Sequence, residues 1–223
     1  MSTILSNRVQ KVKPSATMAV SDKAKELKSQ GIQIVSMGSG EPDFDTPTNI
    51  QKAAIKAIGN GETRYTAADG TPELKKAICE KFKKENGLDY LLTEVMVSCG
   101  GKQVFYNLCQ AILNTGDEVI IPTPYWVSYP DMAILADATP VFIEAGLDQD
   151  FKILPEQLEA SINSNTKLLV LNSPSNPTGS VYSKSEIEAL GTVLEKYPHV
   201  LSLIHISEPT RPRLISYAVF CLK

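Results

Sequence analysis

From residue 94 to residue 200, short apolar segments alternate with segments of helical periodicity, and this alternation constrains the fold more than any other feature. Apolar runs predict strands at 94–99, 118–121, 139–144 and 167–172. Helical spacing of apolar residues predicts helices at 101–114, 126–136, 155–162 and 183–196. Strands that alternate with helices typically form a mostly parallel sheet with helices on both faces. The predicted fold class is therefore α/β.

Local signals in two of these segments support the assignment. The run Lys167–Asn172 is almost continuously apolar, as in strands that are buried on both faces of a sheet. Ser183 and Glu186 have the spacing of a capping box, in which each side chain bonds the other residue's backbone N–H at a helix start. We therefore expect one fully buried strand and a helix that begins just after Ser183.

The first 93 residues have a different pattern. They contain helical segments at 21–30, 46–58 and 71–85 and a strand-like segment at 32–37. The segment Gly38–Asp43 has two glycines and a proline, which predict a loop. We interpret this part as an N-terminal arm followed by the first helices of a larger domain.

Composition and charge exclude several classes of protein. The 223 residues include 22 Lys and Arg, 25 Asp and Glu and 2 His, for a net charge of −3. This dispersed charge gives no footprint for nucleic acid, and no apolar run reaches the roughly 20 residues of a membrane span. The first 17 residues lack the apolar core of a secretory signal. We expect neither nucleic acid nor membrane as a partner.

The cysteines and histidines argue against redox, metal or nucleophile–histidine chemistry. The four cysteines have no C-x-x-C spacing, which predicts buried thiols in a reducing cytoplasm. Before residue 201 the only histidine is His199, beside Pro198. We therefore expect no metal site and no Ser-His-Asp or Cys-His arrangement.

A glycine-rich turn, Ser98–Gln103, joins a predicted strand to a predicted helix. Gly100 and Gly101 would let the backbone approach an anion, which the free N–H groups of the helix start can bind, and Lys102 adds a positive charge. A tight turn without a ligand is the alternative. The turn is neither a Walker loop nor a G-x-G-x-x-G fingerprint, which disfavours ATP and NAD.

Two further loops follow strands at the same predicted edge of the sheet. Asn172–Gly179 contains two prolines that restrict the backbone and direct Asn176, and Tyr125–Trp126 holds the only tryptophan. A plain turn and a core tryptophan are the respective alternatives. Together the three loops predict a phosphate cradle, a directed amide and a flat stacking surface, which suit a flat phosphorylated heterocycle.

These segments resemble the class I pyridoxal-phosphate aminotransferases, and among them the bacterial-type aspartate aminotransferase branch. The resemblance runs from about Leu5 to Val200 and is carried by Lys13–Thr17, Gly40–Pro47, Tyr65, Gly100–Gln103, Pro124–Pro130 and Asn172–Gly179. It implies the large domain of the fold type I pyridoxal-phosphate transferases, with pyridoxal 5′-phosphate as cofactor. It also implies transfer of an amino group between an L-amino acid, aspartate in particular, and 2-oxoglutarate.

Two other functions stay open beside this one: a different pyridoxal-phosphate reaction on the same fold, such as that of a lyase or synthase, and a non-catalytic nucleotide-binding module. The resemblance divides the chain into an arm with the first segment of a small domain (1–45) and part of the cofactor-binding large domain (46–200). It further implies a cytoplasmic homodimer with shared active sites, whose ligands are small amino acids and 2-oxo acids.

The resemblance gives roles to residues at matching positions. The backbone N–H groups of Gly100, Gly101 and Lys102 are expected to bind the cofactor phosphate. The Trp126 ring is expected to stack on the pyridine ring, and Asn176 to donate to its phenolic oxygen. Trp126 and Asn176 are expected to line the substrate site as well.

Three further roles concern the substrate and the neighbouring subunit. Gly40 is expected to offer its N–H group to the substrate α-carboxylate, and Tyr65 to reach the phosphate bound by the neighbouring subunit. The Lys102 side chain is a candidate for binding the distal carboxylate of aspartate or glutamate. The alternative for Lys102 is a second phosphate contact.

Residues 201–223 depart from the family pattern. Back-translated, Leu201–Arg211 and Ile215–Leu222 resemble the two ends of a transposase-based sequencing adapter, so we expect this segment to be non-native. In the family, the Schiff-base lysine and the aspartate and arginine that act with it come later than the position of Val200. No catalytic residue is therefore assigned, and we expect this polypeptide to transfer no amino groups.

The start of this segment nevertheless has the pattern of a strand. Leu201–Ile206 is apolar and could occupy the next position in the sheet. From Pro209 onward the chain is expected to be loose.

Overall fold

The computed structural model describes residues 4–35, 44–207 and 218–222. Within these ranges the α-helices are α1 (Asn7–Lys11), α2 (Ala16–Ser29), α3 (Thr48–Gly59), α4 (Pro72–Lys81), α5 (Gly101–Ile112), α6 (Ser128–Leu135), α7 (Pro155–Ser161) and α8 (Lys184–Leu194). A π-helical turn, Phe82–Asn86, continues α4. The strands are β1 (Glu118–Thr123), β2 (Thr139–Glu144), β3 (Thr166–Asn172), β4 (Leu201–Ser207) and β5 (Ala218–Leu222). They form one sheet in the order β2-β1-β3-β4-β5.

The sheet is parallel from β2 to β4. β1 pairs in parallel with both β2 and β3, β3 pairs in parallel with β4, and β4 pairs antiparallel with β5. Helices connect the parallel strands, because such strands need a crossover that returns the chain to the same end of the sheet. The α/β class predicted from the alternating pattern is confirmed.

The core lies on both faces of the sheet. On β3, Leu168 and Val170 face the side covered by α5 and α6, while Leu169 and Leu171 face the side covered by α7 and α8. Full burial of each such side chain stabilises the fold by about 1.5–3 kcal/mol. β3 is therefore the doubly buried strand that its continuous apolar run predicts.

The predicted helix starts are confirmed where a capping signal stands in the sequence. The Ser183 hydroxyl accepts the Glu186 N–H at 3.3 Å, and the Glu186 carboxylate accepts the Ser183 N–H at 2.6 Å. This is the reciprocal pair of a capping box, and α8 begins at the next residue. α7 begins with Pro155 in its first turn, where proline needs no hydrogen-bond acceptor.

The predicted strand at 94–99 is wrong. A 3₁₀ turn at Leu92–Glu94 is followed by extended chain that belongs to no sheet among the described residues. Its Val97 N–H donates instead to the Asp69 carbonyl at 3.0 Å, in a loop. An apolar run becomes a strand only where a neighbouring ladder accepts its hydrogen bonds. The predicted strand at 32–37 is likewise absent over residues 32–35, and the rest of it lies outside the described residues.

The apolar segment after residue 200 does enter the sheet, as its pattern predicts. β4 pairs with β3 in register from Leu168 opposite Leu201 to Asn172 opposite His205, and Leu203 is buried. The expectation of loose chain from Pro209 onward is wrong for 218–222, which form β5. β5 satisfies backbone groups along the edge that β4 would otherwise leave open. The intervening residues 208–217 lie outside the described part of the chain.

The described residues that precede α5 add little to this core. Neither α1 nor α3, every residue of which the structure describes, has a buried residue. In the described part of this region only Lys75 is buried, where it forms an ion pair with Asp69. The helices in the described ranges include none that is long and apolar enough to cross a membrane.

Candidate functional site

Two of the predicted loops meet at one edge of the sheet. β1 and β3 are parallel neighbours that end at Thr123 and Asn172. The segment with Trp126 follows β1, and the segment with Asn176 follows β3. Ligand sites in open α/β sheets lie beyond the carboxyl ends of the strands. The structure therefore brings these two loops together at the edge where the sequence predicts a site.

The third loop forms the start of α5. Gly100 is the residue before the helix and has a φ of 84°, and a β-carbon at this position would meet nothing within 4 Å. The Gly100 N–H donates to the Ser98 carbonyl at 2.8 Å. The N–H groups of Gly101 and Lys102 have no acceptor among the described residues. These two groups, at the positive end of a 12-residue helix, are therefore available to an anion.

A row of aromatic contacts joins the start of α5 to the loop after β1. The Lys102 Nζ lies 5.3 Å from the centre of the Trp126 ring, within the range of a cation–π contact. Trp126 contacts Tyr129 edge-on at 5.2 Å, and Tyr129 contacts Phe105 edge-on at 5.1 Å. Burial raises the pKa of Tyr129 well above its usual range. Because Tyr129 and Phe105 are buried, the Trp126 ring is held against a rigid base.

A small cavity of about 20 Å³ lies between Tyr129 and the loop after β3. Its lining includes Tyr125, Tyr129, Phe151, Asn172 and Asn176. The volume is enough for about one water molecule. The cavity thus lies among the site residues without being large enough to hold a cofactor itself.

The loop after β3 is held by its own side chains. The Asn176 N–H donates to the Asn172 Oδ1 at 2.8 Å, and the Tyr182 N–H donates to the Ser173 Oγ at 3.1 Å. The Tyr182 hydroxyl in turn accepts the Ile153 N–H at 2.9 Å, and burial raises its pKa. Sequence reasoning missed Asn172 and Tyr182 as residues that orient this loop. Only Asn172 had a signal, namely an Asn at the end of a strand that can accept a nearby N–H.

One acidic side chain near the site was also missed. Asp131 lies in the first turn of α6, where partial burial raises its pKa and the nearby Lys102 ammonium opposes that rise. The described part of the site therefore includes the Lys102 ammonium and a partly desolvated carboxyl group in addition to the helix start. Asp131 has no sequence motif around it, because its proximity to Lys102 depends on how α5 packs on α6.

The structure does not test the roles of two other predicted residues. Tyr65 is fully exposed in the loop before α4, and Gly40 lies outside the described residues. His199 is exposed, with its Nε2 3.1 Å from the Asn163 carbonyl oxygen. The roles predicted for Tyr65 and Gly40 stay predictions.

The prediction of buried thiols holds for one cysteine and not for another. Cys109 is buried in α5, whereas Cys99 is exposed beside the glycine turn, and Cys79 is intermediate. All three are free thiols. Cys99 is exposed because its segment forms no strand of the sheet.

Comparisons with known proteins identify the family of this chain and agree with its fold. A family model of the class I and II aminotransferases matches residues 32–204. The chain belongs to this family. The aspartate/prephenate aminotransferase of Nitrosomonas europaea is 57% identical over 197 residues, which make up 88% of this chain and 50% of that protein. The aspartate/prephenate aminotransferase of Cereibacter sphaeroides is 57% identical over 196 residues, covering 88% and 49%.

Solved structures agree with this assignment. The aspartate aminotransferase of Rhizobium meliloti has a TM-score of 0.88 and 43% identity, over 96% of this chain and 55% of that protein. The Thermus thermophilus aspartate aminotransferase with maleate has a TM-score of 0.86 and 42% identity, over 91% and 60%. The fold is that of the fold type I transferases, as the resemblance implies. The chain spans about half the length of the curated relatives it matches.

Proposed function

We propose that this chain is the cofactor-binding part of a pyridoxal-phosphate-dependent aminotransferase. The reaction we propose for this aminotransferase is transfer of an amino group between an L-amino acid and 2-oxoglutarate, with aspartate as the expected amino acid. Membership of the aminotransferase family supports the reaction class, and the names of the relatives support aspartate. The same membership favours transamination over the lyase, synthase and nucleotide-binding alternatives.

The observation that carries the proposal is the pair of open N–H groups at the start of α5, next to the lysine that lies over Trp126. Two backbone donors on a helix dipole suit a phosphate group. A tryptophan ring beside them suits a flat aromatic ring, and the Asn176 loop supplies an amide from the neighbouring strand. These groups fit pyridoxal 5′-phosphate, which carries both a phosphate and a pyridine ring.

The bound cofactor supplies an electron sink that allows a proton to leave the substrate α-carbon. The residues of this chain would bind and orient it. Gly101 and Lys102 would hold the phosphate through their N–H groups, Trp126 would support the pyridine ring, and Asn176 would donate to the ring oxygen. In this structure the Gly100 N–H bonds Ser98, so a phosphate contact by Gly100 requires that bond to exchange.

The substrate roles rest on charge. The Lys102 ammonium lies at the site and is the cation we assign to the distal carboxylate of aspartate or glutamate. Gly40 is assigned to the α-carboxylate. Tyr65, which is fully exposed, is assigned to the phosphate of a partner subunit in a homodimer. The three free thiols support a reducing, cytoplasmic location.

Cofactor binding can be tested with Trp126 as the reporter, since it is the only tryptophan. Pyridoxamine 5′-phosphate is the suitable probe because it has no aldehyde to react with surface lysines. We expect saturable quenching of the tryptophan emission by this compound, and weaker binding of pyridoxamine, which lacks the phosphate. The absence of saturable quenching would contradict the proposal.

A single substitution tests the role of the helix start. Gly101→Pro removes one N–H at the first helical position, where proline is favoured. A hydrogen bond to a charged group is worth about 1.5–3 kcal/mol, so affinity should fall about 10- to 100-fold. Gly101→Ala is the matched control, because it adds a β-carbon and keeps the N–H. Equal affinities in the two variants would refute the assigned contact.

A further inference from the structure

The glycine turn before α5 is tied down by a side chain from inside the helix. The Gln103 Oε1 accepts the Cys99 N–H at 2.6 Å. On the other side of the turn, the Gln103 N–H and the Val104 N–H both reach the Gly100 carbonyl, at 3.1 and 3.2 Å. Gln103 therefore fixes the turn through both its backbone and its side chain.

Other helices of this chain begin in a different way. Ser15, Thr71 and Ser183 stand just before α2, α4 and α8, and each side-chain oxygen accepts an N–H from the first turn. Such a cap takes up a donor that an anion could otherwise use. At α5 the capping position is Gly100, which has no side chain, and the stabilising bond is moved outward to Cys99. The three side-chain caps bond the N–H of the third helical residue, and in α5 that N–H belongs to Gln103 and donates to the Gly100 carbonyl. The Gly101 and Lys102 N–H groups have no acceptor among the described residues.

We propose that Gln103 is a positioning residue for the cofactor phosphate, and that its role requires a neutral acceptor. This inference rests on the proposed function, because the phosphate is the anion concerned. Gln103 holds the turn in the shape that exposes two N–H groups and places no negative charge beside them. It contacts the backbone of the turn and acts on the phosphate only through that backbone.

At two other helical turns of this chain, the side chain that accepts the preceding backbone N–H is a charged carboxylate, whereas Gln103 is neutral. In the capping box of α8, Glu186 accepts the Ser183 N–H at 2.6 Å, and before the 3₁₀ turn Glu94 accepts the Leu91 N–H at 2.7 Å. A carboxylate is the stronger acceptor and interacts favourably with a helix start. For stability alone, glutamate would therefore serve at position 103 at least as well as glutamine. Beside a bound phosphate, its charge would repel the ligand.

The substitution Gln103→Glu separates the two roles because it should move them in opposite directions. We expect an unchanged or higher unfolding midpoint, since the bond to Cys99 becomes charge-assisted. We expect the affinity for pyridoxamine 5′-phosphate, read by Trp126 quenching, to fall about tenfold at low ionic strength. The ratio of the affinities of the unsubstituted chain and the variant should shrink toward one in high salt, as screening weakens the repulsion. Binding of pyridoxamine without phosphate should change by less than twofold.

Two further variants complete the test. Gln157→Glu adds the same charge at the corresponding position of α7, where Gln157 accepts the Leu154 N–H at 2.8 Å, and should leave phosphate affinity unchanged. Gln103→Met removes the acceptor without adding charge and should weaken binding severalfold, by loosening the turn. Unchanged affinity in Gln103→Met would overturn the role of Gln103, whatever the outcome for Gln103→Glu.

The outcomes are distinct. Gln103→Glu binding as tightly as the unsubstituted chain, or losing stability and affinity in parallel, would overturn the role of Gln103 and leave the proposed function in place. An unsubstituted chain that does not bind pyridoxamine 5′-phosphate would overturn the proposed function, and the role of Gln103 with it.

Discussion

Phe105→Ala tests whether the contact between α5 and α6 supports both the fold and the candidate site. The Phe105 ring is completely buried and meets Tyr129 edge-on at 5.1 Å. Truncation of a buried phenylalanine to alanine costs about 3–5 kcal/mol, from lost burial and from the cavity left behind. In a chain of this size each kcal/mol corresponds to about 2–4 °C in Tm, so a fall of roughly 6–20 °C is expected.

The measurement is urea unfolding followed by circular dichroism and by the emission of Trp126. The m-value should stay constant while the midpoint falls, because the change in surface exposed on unfolding is nearly the same. Since Trp126 rests on Tyr129, which rests on Phe105, the emission of the folded variant should also shift to longer wavelength. Phe44→Ala is the control, because Phe44 is 65% exposed and its loss should change stability by less than about 0.5 kcal/mol. If Phe105→Ala destabilises no more than this control, the packing described for the site is wrong.

Three other predictions concern titration and backbone geometry. Burial raises the pKa of the Cys109 thiol to about 12, so Cys109 should react with a thiol reagent at pH 8 only when the protein unfolds. The exposed Cys99 should react at once. Similar reaction rates for the two thiols, measured in single-cysteine variants, would contradict this prediction. The hydrogen bond from Lys152 lowers the pKa of Glu186 from 4.5 to about 2, so the stability it contributes is present above pH 4.5 and is lost as pH falls toward 2. Glu186→Gln should therefore flatten the fall in urea midpoint across this window, and an unchanged slope would refute the assignment. At Gly70, with φ 104°, a β-carbon would lie 2.8 Å from a neighbouring side chain, so Gly70→Ala should lower the free energy of unfolding by about 1–3 kcal/mol in the same urea assay; a neutral result would contradict the geometry.

The sequence predicted best those elements that are determined by local signals. The doubly buried β3 followed from one apolar run, and the start of α8 from two residues in a capping box. The segment at 94–99 has the apolar pattern of a strand too, but a strand also needs a neighbour, and local sequence carries no information about which ladder is available. The same limitation applies to β5, whose position depends on the edge that β4 presents.

Within the candidate site, the sequence likewise predicts some residues and not others. Glycines, prolines and a single tryptophan mark the three loops in the sequence, because their backbone and ring requirements are unusual. The residues that hold those loops have ordinary polar side chains, such as Gln103 and Ser173, whose role appears only when their hydrogen bonds are known. The proximity of Asp131 to Lys102 likewise required the packing of two helices.

The lack of buried residues in α3 has a consequence for local unfolding of the protein. A helix of 12 residues is near the length at which an isolated helix is marginal in water, and α3 gains almost nothing from contact with the core. Its amide protons should therefore exchange with solvent long before those of β1 and β3, as a separate unit of local unfolding. The apolar side chains of Ile55 and Ile58 on α3 are exposed even before the helix unfolds. Exposed apolar side chains that lie together on one element are typical of a surface that binds another protein.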